Sequence, residues 1–122
     1  MKLHLTTAEN NNLITAYSDE YIEINRQRYA QNLIIMPDAL IHDWKAASFT
    51  DLANAHFKQI ADLKPEVVLL GTGATHRFLH PKHYQCLTDN GIALECMTTA
   101  AACRTYNILM SEGRNVAAAL IL

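Results

Sequence analysis

Gly71-Thr72-Gly73 is the part of the sequence whose residue types come closest to ligand chemistry. Two glycines directly after the apolar run Glu66-Val-Val-Leu-Leu70 let backbone N–H groups approach an anion closely. Formal positive charge is available from Arg77 and from Arg104, which shares one helical face with Asn107 so that both heads can point into the same space. A helix beginning near Thr99 adds its positive dipole end. Gly71, Thr72, Gly73, Arg77, Thr99, Arg104 and Asn107 therefore form one candidate set for a small anion, a carboxylate or a phosphate. The pattern is not Gly-x-Gly-x-x-Gly, because His76 occupies the last position, and no Gly-Lys-Ser/Thr follows, which argues against a nucleotide-hydrolysing site. The same residues also have an architectural reading. The glycines turn the chain after a central strand, while Arg104 and Asn107 tie a helix to neighbouring carbonyls or to an acidic side chain.

Covalent and metal chemistry find less support. Cys103 falls in the first turns of the last helix, where the dipole lowers a thiol pKa, but a nucleophile also needs a base and no spacing demands a histidine beside it. A small buried cysteine is the other reading. His76-x-x-x-His80-x-x-His83 has ligand residue types, yet Pro81 breaks the helix that would align the first two and no carboxylate is interleaved, so no metal site is expected. No nucleophile-base-acid arrangement is visible. No catalytic residue is assigned, no cofactor is called for, and the reading leans away from an enzyme.

The elements that must position these residues change character near residue 48. Before it, Leu13 to Tyr17, Tyr21 to Ile24, Arg28 to Met36 and Leu40 to Trp44 are rich in Ile and Tyr and are separated by Ser18-Asp19, Asn25-Arg26 and Pro37-Asp38, which predicts an antiparallel meander. From Ser48, the capping pattern Ser48-x-x-Asp51 and an apolar stripe through Phe49, Leu52, Ala53, Phe57, Ile60 and Leu63 predict an amphipathic helix ending before Pro65. Glu66 to Leu70 then reads as a strand covered on both faces. A short helix over Pro81 to Asp89, a strand over Ile92 to Met97, a helix capped by Thr98 or Thr99 and stopped by Gly113, and a strand from Val116 to Leu122 complete a βαβαβ unit. Right-handed crossovers bring both strand-to-helix loops to the carboxyl edge of the sheet, where open α/β sheets hold ligands.

Composition bounds the function. The 122 residues predict a single domain, and 50 % apolar against 18 % charged residues favours a dense core over a disordered tail. A formal charge of -2 offers no broad basic field, so nucleic acid is not an expected partner. The N-terminus turns polar at once through Glu9 to Asn12, and the longest apolar run, Val116 to Leu122, is strand length, so neither a secretory leader nor a membrane span is expected. Cys86, Cys96 and Cys103 cannot all pair within one molecule and show no metal-finger spacing, which reads as reduced thiols in the cytoplasm.

Leu69-Leu70-Gly71-Thr72-Gly73, Arg77-Phe78-Leu79, the run Met97 to Leu109, and Glu112-Gly113-Arg114 followed by Val116 to Leu120 together carry a resemblance. They are similar to the small α/β family that includes the mitochondrial respiratory complex I assembly factor 3 and the adipogenesis-associated domain protein. Leu33, Pro37 and Trp44 fit that family's pattern of a strand, a proline turn and a tryptophan. The resemblance implies a three-layer α/β fold, with a mixed central sheet, helices packed on it, and a smaller antiparallel β element from the N-terminal half. It implies no reaction: the animal members look like assembly or regulatory proteins. Where the family usually has Met-Asp-Thr, this chain has Met97-Thr98-Thr99, which keeps a capping hydroxyl and removes a carboxylate. The resulting expectation is a non-enzymatic accessory protein that binds another, as yet unknown, protein. Its alternative is a small-anion or nucleotide-like ligand binder, or an enzyme, with a pocket between the Gly71 to Arg77 loop and the last helix.

Overall fold

The computed structural model describes residues 11–122, and the polar N-terminal stretch before Asn11 lies outside them. The order of elements is β1 (Ile14–Tyr17), β2 (Ile22–Ile24), β3 (Gln27–Tyr29), β4 (Leu33–Met36), β5 (Ala39–Ile41), α1 (Asn54–Asp62), β6 (Val67–Gly71), α2 (Gln85–Asp89), β7 (Ala93–Met97), α3 (Thr99–Ser111) and β8 (Val116–Leu120). Single 3-10 turns at Phe49–Asp51 and Pro81–Tyr84 lead into α1 and α2.

Five strands make a mixed sheet in the order β5-β4-β8-β6-β7. β6 runs parallel to both β7 and β8, while β4 lies antiparallel to β8 and β5. Because successive side chains of a strand point to opposite faces, each central strand feeds two cores. Ile34, Met36, Val68, Leu70, Ala117 and Ala119 pack under α1 and α2 with Trp44, Phe57, Ile60 and Leu87. Leu33, Ile35, Leu69, Val116, Ala118 and Leu120 pack on the other face with Ala102, Cys103, Tyr106 and Met110 of α3, and with Ile14, Ile22 and Ile24. The result is the three-layer α/β architecture with its βαβαβ unit, and the smaller antiparallel sheet β1-β2-β3 shares the α3 layer. Asn25 and Arg26, at φ 49° and 72°, form the two-residue turn between β2 and β3 that suits the twist of a hairpin.

Three local expectations need correction. The Arg28 to Met36 segment is not one strand of a meander, since Ala30 to Asn32 breaks it into β3 of the small sheet and β4 of the large one. Leu33-Ile-Ile-Met36 is buried at every position, which a half-exposed meander strand does not permit and a central strand requires. Asn32 holds the break by donating to the carbonyls of Ala46 and Ala47 and accepting from Leu122 N–H. Second, Ser48 makes no capping bond to the backbone; its hydroxyl lies against that of Thr50, and Asp51 accepts from Ala47 N–H. The α-helix begins only after extended residues Leu52 and Ala53, where His56 Nδ1 accepts from Ala53 N–H and does the capping. Third, Pro81 to Asp89 is half 3-10 turn and half α-helix.

Gly71 is required by close approach. A Cβ there would lie 3.0 Å from the Cα and Oγ1 of Thr99 and from Leu120 Cδ2, two of which belong to the helix start rather than to a flexible side-chain end. Gly71→Ala is accordingly expected to cost about 1–2 kcal/mol, the range of a small overpacking, seen as a lower midpoint in urea. An unchanged midpoint would show that α3 can retreat from β6 freely.

Candidate functional site

The carboxyl edge of the sheet holds the loops that the βαβαβ topology predicts, and they do meet. Thr99 N–H donates to Gly73 C=O at 2.9 Å, Gly73 N–H donates to Thr99 Oγ1 at 2.9 Å, and the same hydroxyl donates to Ile121 C=O at 2.6 Å. Ile121 N–H returns to Gly71 C=O. One threonine thus stitches the β6 loop, the start of α3 and the residues after β8. Thr98 caps α3 by accepting from Ala101 N–H, and its carbonyl accepts from Ala102 N–H. Of the first-turn N–H groups, Ala100 alone has no main-chain or capping partner among the described residues.

Thr72, buried beside Thr99, orders the loop that follows. Its hydroxyl donates to Thr75 C=O at 2.7 Å and accepts from Arg77 N–H at 3.3 Å, while its own N–H donates to Met97 C=O. Gly73, at φ 97°, makes the turn that a side chain would strain.

Against this edge lies a cleft of about 480 Å³, bounded by Tyr17 to Asp19 of the β1–β2 turn, Gly73 and Ala74, Thr98 to Ala100, and Ile121 with Leu122. Its size falls within the usual range for small-molecule sites. Of the seven candidate residues, Gly73 and Thr99 line it directly. Gly71 and Thr72 sit behind it as support. Arg104 reaches its rim through one bond, donating from Nη1 to Tyr17 OH at 3.0 Å.

The other two candidates are placed differently. Arg77 points away toward the α1 side, its guanidinium 5.4 Å above the ring of Phe49, so the two arginines do not converge. Asn107 is committed to the fold: Oδ1 accepts from Ile14 N–H at 3.0 Å and Nδ2 donates to Ile14 C=O at 2.8 Å. A carboxamide is the one neutral side chain that offers a donor and an acceptor side by side, so it imitates a neighbouring strand and covers the free edge of β1. Tyr106 OH donates to Asn12 C=O at 2.7 Å on the same edge. The sequence alone showed nothing of Tyr17, Ser18 and Asp19 as cleft walls, because what brings them there is a hairpin folded across α3 from more than eighty positions away.

Several titrations are displaced elsewhere in the molecule. A hydroxyl bond from Thr15 chiefly holds the Glu23 carboxyl down, and the Asn115 N–H with the Arg114 guanidinium does so for Glu66. Burial pushes the thiols of Cys86 and Cys96 up and that of Cys103 to about 12, so the dipole of α3 does not produce a thiolate. Among the described residues, no group of three His, Cys, Asp or Glu side chains could hold a metal ion, and no helix is long and apolar enough to cross a membrane.

Comparison with known proteins fits this architecture. The NADH dehydrogenase [ubiquinone] 1 alpha subcomplex assembly factor 3 of Mus musculus is 34 % identical over 110 residues, covering 88 % of this chain and 59 % of that protein. The Danio rerio protein of the same description is 36 % identical over 111 residues, covering 89 % and 63 %. This chain therefore spans about three fifths of the length of these relatives. A crystal structure of a Bordetella parapertussis protein superposes with a TM-score of 0.85 at 40 % identity, over 91 % of this chain and 95 % of that one. The model of the family described as protein of unknown function (DUF498/DUF598) matches residues 14–121, and the chain belongs to that family.

Proposed function

We propose that this protein is an accessory or assembly-type factor that acts by binding another protein and catalyses no reaction itself. The observation that carries this reading is the 34 % identity over 110 residues to a protein described as a subcomplex assembly factor. It is supported by the cleft walls, which bring together hydroxyls, one carboxylate and backbone but no nucleophile paired with a base. The reading calls for no cofactor, metal or nucleic acid, and three free thiols suit a reducing cytoplasm. The test is recovery of a tagged copy after mild cross-linking in its native cell. A single protein enriched in constant ratio is expected, and repeated recovery of the tagged chain alone would remove the proposal.

A second reading has its own observation, the 480 Å³ cleft at the α3 N-terminus. A small anion there would meet the Thr98 hydroxyl and Ala100 N–H, with Arg104 at the rim, while the carboxylate of Asp19 opposes it. Thermal shift with inorganic phosphate, citrate and ATP tests it. A ligand at 100 times its Kd adds about 2.7 kcal/mol of stability. No shift with any of the three, or an equal shift in Arg104→Ala, would dismiss this site.

A further inference from the structure

The loop between β6 and α2 presents an aromatic side chain to solvent at a place where the chain could have hidden it. Phe78 is 82 % exposed, the most exposed large apolar side chain among the described residues, whereas its neighbour Leu79 is buried. The ring is held outward from both sides. Thr72 anchors the loop at Thr75 and Arg77, Leu79 plugs into the α1 side core, and the imidazole of His76 lies against Phe78 with ring centroids 4.5 Å apart. An exposed aromatic that is already ordered loses little conformational freedom on binding, which is the property of an interface anchor.

The charge around it is one-sided. Between Glu66 and Asp89 the sequence has no acidic residue, and the loop carries Arg77 and Lys82 with His76, His80 and His83, in a chain whose net charge is -2. Among the described residues neither Arg77 nor Lys82 has a carboxylate within salt-bridge distance. Of the acidic groups on neighbouring segments, Asp51 faces His56 and Ala47 N–H, Asp89 accepts from Gln85, and Glu95 lies on β7 next to Cys96, which the backbone of Leu79 meets.

We infer that the loop from His76 to His83 is a docking finger, with Phe78 entering an apolar slot on a partner protein whose rim is acidic and faces Arg77 and Lys82. The inference rests on the accessory-protein reading and assigns it a surface. A second copy meeting this one loop to loop about a two-fold axis is a poor occupant, because Arg77 and Lys82 would then face their own counterparts. A bilayer is also poor, since one ring and two formal charges fall short of the two strong signals that stable anchoring takes.

The test places the photoreactive p-benzoylphenylalanine at position 78 of the full chain, with the same residue at Ile108, an exposed position on α3, as control. The expected result is a discrete cross-link from position 78 to one protein, at an apolar residue flanked by Asp or Glu. Its yield should fall at least tenfold when Arg77→Glu and Lys82→Glu are added, with thermal melting confirming that the variants stay folded. Cross-linking to a second copy, to a site without acidic neighbours, or with a yield indifferent to the charge reversals would overturn the inference, as would flotation of the wild type with phosphatidylserine vesicles but not with neutral ones. If position 78 gives no adduct while the unmodified tagged protein still recovers a partner, the finger is wrong and the accessory reading survives. If neither experiment yields a partner, the accessory reading fails as well.

Discussion

Thr99→Val is expected to lower the unfolding free energy by about 3 kcal/mol, because it leaves two main-chain groups without partners in a nearly closed place. Valine keeps the shape and the β-branch of threonine, so packing against Gly71 and Leu120 changes little. What it deletes is the hydroxyl that accepts from Gly73 N–H and donates to Ile121 C=O. An unpaired buried donor or acceptor costs about 1–3 kcal/mol each, and Gly73, half-exposed at the cleft, should fall at the low end. For a domain of this size, that loss lowers the thermal midpoint by roughly 10 °C. Thr99→Ser retains the hydroxyl and is expected to stay within about 1 kcal/mol of wild type. Urea unfolding of the three proteins decides the matter: valine and serine variants of equal stability would show that the hydroxyl does not hold the three segments together.

The consequence for the cleft follows from the same bonds. In an open α/β sheet, the crevice where neighbouring strands send their loops to opposite faces is the usual ligand position. Here β6 leads to α2 on one face and β7 leads to α3 on the other, so the crevice exists by topology. Thr99 fills its floor and uses the Gly73 N–H that an anion would want. The cleft that remains lies outside this stitch, walled by the β1–β2 turn, and its one formal positive charge, on Arg104, is already turned to Tyr17. The glycine pair therefore serves first to let α3 approach β6, and any ligand would have to be recognised by what lies further out.

Much of the βαβαβ half was legible in the sequence because its signals are local. Thr98 caps α3 through a bond spanning three residues, Gly113 ends it with φ 82°, and Ala102, Tyr106 and Met110 recur at helical spacing to face the sheet. The buried runs of β6 and β8 were likewise visible as continuous apolar stretches. The N-terminal half was harder for a physical reason. Strand propensity marks segments but not partners: the apolar run Leu33 to Met36 after Gln31-Asn32 separates β4 from β3 as segments, but nothing local assigns them to two different sheets. The candidate site was legible to the same degree. Gly73 and Thr99 meet as the topology demands, and Asn107 takes the architectural one of its two readings, whose partner, β1, lies ninety-three positions away and has no local signal. Spacing likewise places Arg77 on the loop, while the direction of its side chain follows the ring of Phe49, a residue far from it in sequence.

Raising the pH from 9 to 11 is expected to lower the unfolding free energy by about 2 kcal/mol through Cys103 alone, since the slope approaches 1.36 kcal/mol per unit only once the unfolded thiol is ionised. The thiol is buried under α3, which raises its pKa from an ordinary 9.0 to about 12, with Arg104 opposing slightly. Well below 9 both states keep the proton and the group has no effect on pH dependence. Between 9 and about 12 the unfolded chain releases it while the folded chain does not, so the unfolded state binds fewer protons and stability falls as pH rises. Tyr106, pushed up mainly by burial and secondarily by Asp38, joins above its ordinary value of 10, since the hydroxyl that donates to Asn12 C=O must stay neutral. Cys86 and Cys96 shift in the same direction. Urea titrations under reductant at pH 8, 9, 10 and 11 should show a steepening loss in the wild type. Cys103→Ala starts from a lower stability, having lost a buried sulfur, but its decline across this range should be shallower. Parallel curves for the two proteins would mean that Cys103 ionises as easily folded as unfolded, and that water reaches the layer between α3 and the sheet.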